Sequence, residues 1–468
     1  MTQSLPKTLG ALRQSGWQSV PVKEEIRRNA VKRIAAGEPL FEGVLGYEDT
    51  VMPQLENSLL AGHDVIFLGE RGQAKTRMIR SLTGLLDEWM PIVEGSEIND
   101  DPYHPVSAMA RRLVAERGDD TPIAWVHRDD RYGEKLATPD TSIADLIGEV
   151  DPIRVAEGRY LSDEMTIHFG LVPRTNRGIF AINELPDLAE RIQVGLLNVL
   201  EERDVQIRGH KIRLPLDVML VASANPEDYT NRGRLITPLK DRFGSQIHTH
   251  YPLEADTEIE IVRREARDSN IDGVTVHWPE FMERIVATVS QVARSSSHIN
   301  QRSGVSVRLS VSNHEILAAN AVRRALRMGE TIVAPRVSDL GALAASMSGK
   351  VEVESMEDGR ESAILQNVVR AAVLESFKQS VQTEALPAVV TSFEEGLVAH
   401  AGDDITSADY VRLVEQQPAL REVVVRLVGS EAPPALIASA TEFVLEGQHL
   451  SKRLNKDESG GRAVYRSR

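Results

Sequence analysis

Between Phe41 and Pro252 short apolar runs alternate with longer amphipathic stretches, and this alternation restricts the possible folds more than any other feature of the chain. The runs are DVIFLG (64–69), PIAWV (122–126), GIFAIN (178–183), DVMLVASAN (217–225) and QIHTHYP (246–252). A strand covered by helices on both faces has no polar side to show, so it reads as an unbroken apolar run. DVIFLG, GIFAIN and DVMLVASAN do so clearly. The alternation implies an α/β fold with a parallel sheet whose crossovers are the intervening helices.

The chain has 468 residues, which is more than one compact core holds and implies about two to four domains. Residues 1–40 read as an N-terminal helical extension, in which VKEEIRRNAVKRIAAG is helical and Gly37 and Pro39 supply the stop. The α/β domain covers 41–252. Beyond Pro252 no comparable strands occur, and EADTEIEIVRREARDSN and NHEILAANAVRRALRMG read as helices of a further domain over 253–350. Residues 351–468 form a helical C-terminal domain, because NVVRAAVLESFKQSV and ALIASATEFVLEGQHL carry apolar residues at three- and four-residue spacing. The closing KRLNKDESGGRAVYRSR is basic and poor in apolar residues, so it is expected to be mobile.

A formal net charge of -15 gives no global attraction to a phosphate backbone and disfavours nucleic acid as a partner. The absence of cysteine removes disulfides, thiolate metal sites and thiol catalysis. The N-terminal MTQSLPKTLGALRQSGWQSV lacks a long apolar signal region, and no apolar run reaches the roughly 20 residues that span a bilayer. The expected location is the cytoplasm, with no membrane contact.

GERGQAKT, Gly69 to Thr76, follows the first apolar run and precedes a helical TRMIRSLTGLLDEW. It approximates the phosphate-loop pattern G-x-x-x-x-G-K-[ST], with Ala74 where the second glycine stands. In such a loop the backbone of Gly69, Glu70, Arg71, Gly72, Gln73 and Ala74 wraps an anion, and Lys75 reaches the β and γ phosphates. The Thr76 hydroxyl ligates Mg²⁺, and Arg77 continues into the helix. Ala74 is harmless if its dihedrals are helical and costs about 1 to 2 kcal/mol if they are left-handed. Taken alone, the octapeptide reads equally well as an ordinary strand-to-helix turn with a surface lysine.

Three further signals bear on that choice. RGIFAINELPDL ends an apolar strand in Asn183 and Glu184, the place for an oxygen ligand to Mg²⁺ and for a carboxylate that polarises water. The amide at position 183 keeps an oxygen ligand and loses the negative charge. DVMLVASANPEDY ends a strand in Asn225, whose amide donates and accepts at once and suits both a γ phosphate and the attacking water. LKDRFGSQ presents Arg242, which alone would read as a surface ion-pair residue.

In this order the four signals resemble an AAA+ ATPase. From GYEDTVMPQLENSLLAGHDVIFLGERGQAKT to LITPLKDRFG the chain is similar to the AAA+ subunit of magnesium chelatase and the related MoxR group, where Ala before Lys is common. SIADLIGEVDPIRVAEGRYLSDEMTIHFGLVPRTNRG resembles the helix-2 insertion of that clade. DVQIRGHKIRLP resembles the hairpin before the sensor-1 strand, and the alternation in VQIRGHKIRL supports a two-stranded ribbon on its own account. The resemblance implies an AAA+ P-loop core at 41–252, a helical lid at 253–350, ATP and Mg²⁺ as ligands, and ATP hydrolysis slowed by Asn183. It makes Glu184 the water-polarising residue, Asn225 sensor 1, Arg242 the arginine finger and Arg308, in GVSVRLSVSNHEIL, sensor 2. Arg174 and Arg177 in PRTNRG are weaker candidates for a subunit boundary.

A finger supplied in trans implies a homo-oligomeric ring, a hexamer by resemblance. The clade's implied partner is a protein with a von Willebrand factor A domain, on which the motor acts as a MoxR-like chaperone. The first alternative is the motor subunit of a metal chelatase that inserts magnesium or cobalt into a tetrapyrrole. The second, a bacterial enhancer-binding activator, is disfavoured because the chain has no GAFTGA-like loop. His104, His127, His168, His210, His248 and His250 form no compact ligand pattern with carboxylates. DDPYHP (100–105) is unusual enough to mark a functional loop, without an assignable chemistry.

Overall fold

A computed structural model describes residues 5–150, 167–201, 214–225, 235–271, 273–301, 304–354, 360–381, 384–459 and 461–468. The chain divides into two compact units, Met1–His250 and Tyr251–Arg468.

The first unit is built on a five-stranded parallel sheet. Its strands are β1 (Val65–Leu68), β4 (Tyr132–Leu136), β7 (Gly178–Asn183), β8 (Val218–Ala224) and β9 (Ser245–His248), in the order β4-β7-β8-β1-β9. β1, β7 and β8 are buried along their whole length, as their unbroken apolar character requires. Side chains alternate between two cores. Val65, Phe67, Ile179, Ala181, Met219 and Val221 pack on the helices Val22–Ala36, Val51–Leu60 and Lys75–Ser81. Ile66, Phe180, Ile182, Leu220 and Ala222 pack on the helices Glu190–Glu201 and Thr237–Arg242.

The edge strand β4 is not the apolar PIAWV but the polar YGEKL that follows it. An edge strand has one neighbour and an exposed flank, so charged side chains are tolerated there and the apolar signal vanishes. PIAWV instead supplies β3 (Ile123–His127), antiparallel to β2 (Trp89–Val93) in a separate pair, with only Ile123 buried. β5 (Gly148–Val150) and β6 (Ile167–Phe169) pair antiparallel and flank 151–166. That stretch of the expected helix-2 insertion, and most of the hairpin expected at DVQIRGHKIRLP, lie outside the described residues.

Residues 5–40 pack against the α/β domain. Val22, Ile26 and Ala30 enter the core beside β1, and Gly37 closes their helix at φ 68. Leu9 N–H donates to Thr121 O at 2.9 Å and Trp125 Nε1 to Pro6 O at 2.7 Å, which ties the terminus to β3. DDPYHP has a structural explanation. Fully buried Asp100 accepts from the backbone of Val106 and Ser107 and from both the Ser96 and Ser107 hydroxyls, while Tyr103 packs on Trp17 at 5.3 Å. Arg177, read as a boundary candidate, is buried at φ 59 and donates to Pro91 O at 2.9 Å.

The second unit is mainly helical, and its core draws on 253–350 and 351–468 together. Phe281 of the helix Glu280–Ser295 stacks on Phe443 of the helix Pro434–Leu450 at 4.5 Å, and both belong to one cluster with Phe377, Phe393 and Tyr465. Two departures from an all-helical reading occur. A short parallel pair joins Thr275–Val276 to Ile332–Val333, and Ala399–Gly402, Arg462–Ser467 and Leu454–Ser459 form a three-stranded antiparallel sheet. The tail expected to be mobile is therefore a hairpin, held because Ala463 and Tyr465 point inward while their charged neighbours stay in water. Among the described residues no helix is long and apolar enough to cross a membrane.

Candidate nucleotide site

The carboxyl ends of β7, β8 and β1 lie side by side, and each continues into one of the segments singled out by the sequence. In open α/β sheets the crevice outside such strand ends is where ligands bind.

After β1 the chain turns through Gly69–Ala74 and enters the helix at Lys75. Gly69 N–H donates to Ala224 O at 3.1 Å, which joins the loop to the end of β8. A Cβ at Gly69 would lie 1.9 Å from Thr249 Oγ1 and 2.2 Å from Gln73 Oε1, so any side chain there must displace both. Gln73 is buried and accepts from the Thr249 hydroxyl at 2.7 Å, and the buried Tyr47 hydroxyl donates within reach of both Gln73 O and His250 O at 2.8 Å. Burial pushes the Tyr47 phenol well above its usual range, so it stays neutral. Gly69→Ala should destabilise the protein by about 1 to 3 kcal/mol, measured by urea unfolding, because the new methyl displaces Gln73 and Thr249 from a packed turn.

Gly72 has φ 77, as its role in a tight turn requires. Ala74 has φ 54 and ψ 13, the left-handed alternative. Followed by helical Lys75, this change of hand turns successive backbone N–H groups towards one side, the geometry of an anion-binding nest. The Cβ strain is about 1 to 2 kcal/mol, and a glycine would lose about 0.4 to 1 kcal/mol more chain entropy on folding. Ala74→Gly should therefore stabilise the protein by about 0.5 to 1 kcal/mol in urea unfolding.

The Lys75 ammonium is buried and donates to Gly69 O and, at 2.7 Å, to Glu70 O, which puts it inside the turn. Thr76 is half-buried on the first turn of the helix. Glu70 is half-buried, Arg71 and Arg77 are exposed, and Arg77 donates to Gly43 O at 3.2 Å.

At the end of β7 Asn183 is buried, and Glu184 follows at φ 54 and ψ 47. A non-glycine residue held left-handed at a strand end, its N–H on Ser223 Oγ at 3.2 Å, is the kind of local strain that accumulates at functional sites. At the end of β8 Asn225 is buried, and its Oδ1 has no hydrogen-bond partner among the described residues. A buried orphan acceptor invites a polar ligand. Arg242 ends the helix Thr237–Arg242, is exposed, and lies 3.8 Å from the Asp241 carboxylate. Arg308 is in the second unit, exposed at the start of the helix Val307–Met328, with its N–H on the Ser306 hydroxyl at 3.1 Å.

The structure thus brings together the loop, Asn183, Glu184 and Asn225. Sequence reasoning missed Tyr47, Arg80, Glu134, Ser223 and Thr249. Ser223 lies inside the apolar run DVMLVASAN, which is a local signal for it.

The chain is 29% identical over 51% of its length to the magnesium-chelatase 38 kDa subunit of Cereibacter sphaeroides, covering 67% of that protein. It is likewise 29% identical over 49% of its length to magnesium-chelatase subunit ChlI-1, chloroplastic, of Arabidopsis thaliana, covering 52% of it. The chain is similar to magnesium-chelatase subunit I over about half its length. It spans between about half and two thirds of the length of these curated relatives. The Sigma-54 interaction domain family matches residues 156–243. Among solved structures, a cryo-EM model of the complex between subunits BchI and BchD of magnesium chelatase aligns with a TM-score of 0.33 at 19% identity, covering 73% of this chain and 98% of that one.

The residues present fit a nucleotide with Mg²⁺. Thr76 and Asn183 offer oxygen atoms of the hard type Mg²⁺ takes, and the Asn225 acceptor is unspent.

Proposed function

We propose that this protein binds and hydrolyses ATP as an AAA+ motor and uses the cycle to remodel a partner protein. The observation that carries the reading is the convergence of the Gly69–Thr76 turn with Asn183, Glu184 and Asn225 at the ends of three adjacent strands. In this reading the Gly69–Ala74 backbone and Lys75 grip the phosphates, and Thr76 and Asn183 hold Mg²⁺. The ion neutralises charge on the phosphate oxygens when bound. Glu184 takes a proton from the attacking water and aligns it with the γ phosphate, while Asn225 holds water and phosphate in register. Arg242 of a neighbouring subunit in a ring, a hexamer by resemblance, completes the site, and Arg308 acts as sensor 2. The location is cytoplasmic.

The test is phosphate release with Mg²⁺ by wild type against Lys75→Ala, together with binding of a fluorescent ATP analogue. Hydrolysis above the Lys75→Ala background supports the motor; no nucleotide binding by wild type defeats it.

The load is read as a von Willebrand factor A domain protein, with the protein acting as a MoxR-like chaperone. A second reading, the motor subunit of a chelatase inserting magnesium or cobalt into a tetrapyrrole, draws support from the similarity to magnesium-chelatase subunits. Affinity purification from the native cell with Glu184→Gln and ATP separates them. A large tetrapyrrole-binding subunit selects the chelatase, a von Willebrand factor A protein without one selects the chaperone, and RNA polymerase overturns both.

A further inference from the structure

Asn183 stands where an acidic residue is usual, and its side chain belongs to a hydrogen-bond chain that crosses three strands. The Glu184 N–H donates to Ser223 Oγ at 3.2 Å, the Ser223 hydroxyl donates to Asn183 Oδ1 at 3.1 Å, and Asn183 Nδ2 donates to Glu134 Oε1 at 2.6 Å. Glu134 also accepts from Arg80 Nε and Nη2 at 2.8 and 3.0 Å and from the Tyr132 hydroxyl at 3.0 Å. Arg80 lies one helical turn beyond Thr76, on the helix that the Gly69–Ala74 turn opens into.

The sense of this chain is set at both ends. A backbone amide and a guanidinium only donate, and an ionised carboxylate only accepts. Both Glu134 oxygens face the Arg80 guanidinium, at 2.8 and 3.0 Å, and a carboxylate in such a bidentate ion pair accepts rather than donates. The amide of Asn183 therefore has one orientation: nitrogen towards β4, oxygen towards β8, the strand that pairs with β1. That matters because a primary amide presents a donor and an acceptor on arms of similar shape and faces either way unless its neighbours choose. A cation accepts only the oxygen, which has a second lone pair beyond the one Ser223 uses.

We infer that Glu134 is a positioning residue of the nucleotide site. It holds the nitrogen of Asn183, turns the oxygen towards the phosphate loop, and carries on the neighbouring strand the carboxylate that position 183 lacks. The inference rests on the nucleotide-binding reading above. Its rival is an ordinary Arg80–Glu134 ion pair that fastens a helix to the sheet edge, with the Asn183 contact incidental.

The two accounts give opposite signs for Asn183→Asp. If the rival holds, the introduced aspartate strengthens Mg²⁺ binding by restoring charge. If Glu134 positions Asn183, the introduced carboxylate faces Glu134 across a 2.6 Å contact, and Mg²⁺ binding weakens. The experiment titrates a fluorescent ATP analogue against wild type, Glu134→Gln, Asn183→Asp and the double variant, first in EDTA and then over a range of free Mg²⁺. Thermal unfolding of the nucleotide-free proteins runs in parallel.

The quantity compared is the Mg²⁺-dependent gain, each protein's affinity with Mg²⁺ relative to its own affinity in EDTA. The Mg²⁺-dependent gain should fall by about 10- to 100-fold in each single variant, the usual consequence of removing an outer-shell partner, and recover in the double variant, where the glutamine amide donates to the aspartate. The nucleotide-free unfolding midpoint should fall in Asn183→Asp and recover in the double variant. A wild-type Mg²⁺ titration in Glu134→Gln, or tighter Mg²⁺ binding in Asn183→Asp with Glu134 in place, overturns the inference while leaving the nucleotide reading intact. Absence of analogue binding by wild type in either condition overturns both. Should Glu134→Gln not fold, the sign of the Asn183→Asp effect decides alone.

Discussion

Arg242→Ala is expected to lower ATP hydrolysis by about 10³- to 10⁵-fold while leaving ATP binding nearly unchanged. The charge that develops on the γ phosphate is spread over oxygens in a plane, and the guanidinium fork meets two of them at once. Arg242 ends its helix on the surface, 3.8 Å from the Asp241 carboxylate. Arg242→Lys keeps the charge without the fork and should recover only part of the rate. A finger acting in trans has a further signature. Mixing Arg242→Ala with Glu184→Gln creates interfaces in which the first protein supplies Glu184 and the second supplies Arg242, so two inactive preparations should regain activity together. No recovery on mixing, or a wild-type rate in Arg242→Ala alone, removes the residue from the mechanism.

The central strands were legible because burial on both faces leaves a local trace. VIFL, GIFAIN and VMLVASA are buried throughout, are mostly apolar, and lie in the middle of the sheet. What an apolar run cannot tell is which sheet it joins, and PIAWV shows this: it pairs with Trp89–Val93, while the polar YGEKL takes the edge of the main sheet. The C-terminal hairpin was hidden for a related reason, since its inward residues are few among charged ones. In the candidate site, the turn, Asn183, Glu184 and Asn225 are legible because each follows or ends an apolar strand. Glu134 is not. Its bond to Asn183 joins residues 49 apart in sequence, and no local pattern records a contact set by strand pairing. The sequence admits helical or left-handed dihedrals at Ala74, and its φ of 54 is the left-handed one.

Glu184→Gln is expected to slow hydrolysis by about 10²- to 10⁴-fold and to leave ATP bound, because the amide keeps the shape and the hydrogen bond but takes no proton from water. Shape alone does not hold the residue in place. Glu184 sits at φ 54 and ψ 47, a conformation that costs a non-glycine residue about 1 to 2 kcal/mol and persists where its surroundings enforce it. Its N–H on Ser223 Oγ and the Asp187 N–H on its own carbonyl at 2.9 Å are two of those restraints. Ser223→Ala removes the first and should therefore lower kcat with little change in KM for ATP, by less than Glu184→Gln does. The order of the two effects separates the carboxylate from the backbone that aims it. A Ser223→Ala protein as slow as Glu184→Gln would make the strained backbone the main contributor. A Glu184→Gln protein with the wild-type rate would leave water activation to another group and take Glu184 out of the chemistry.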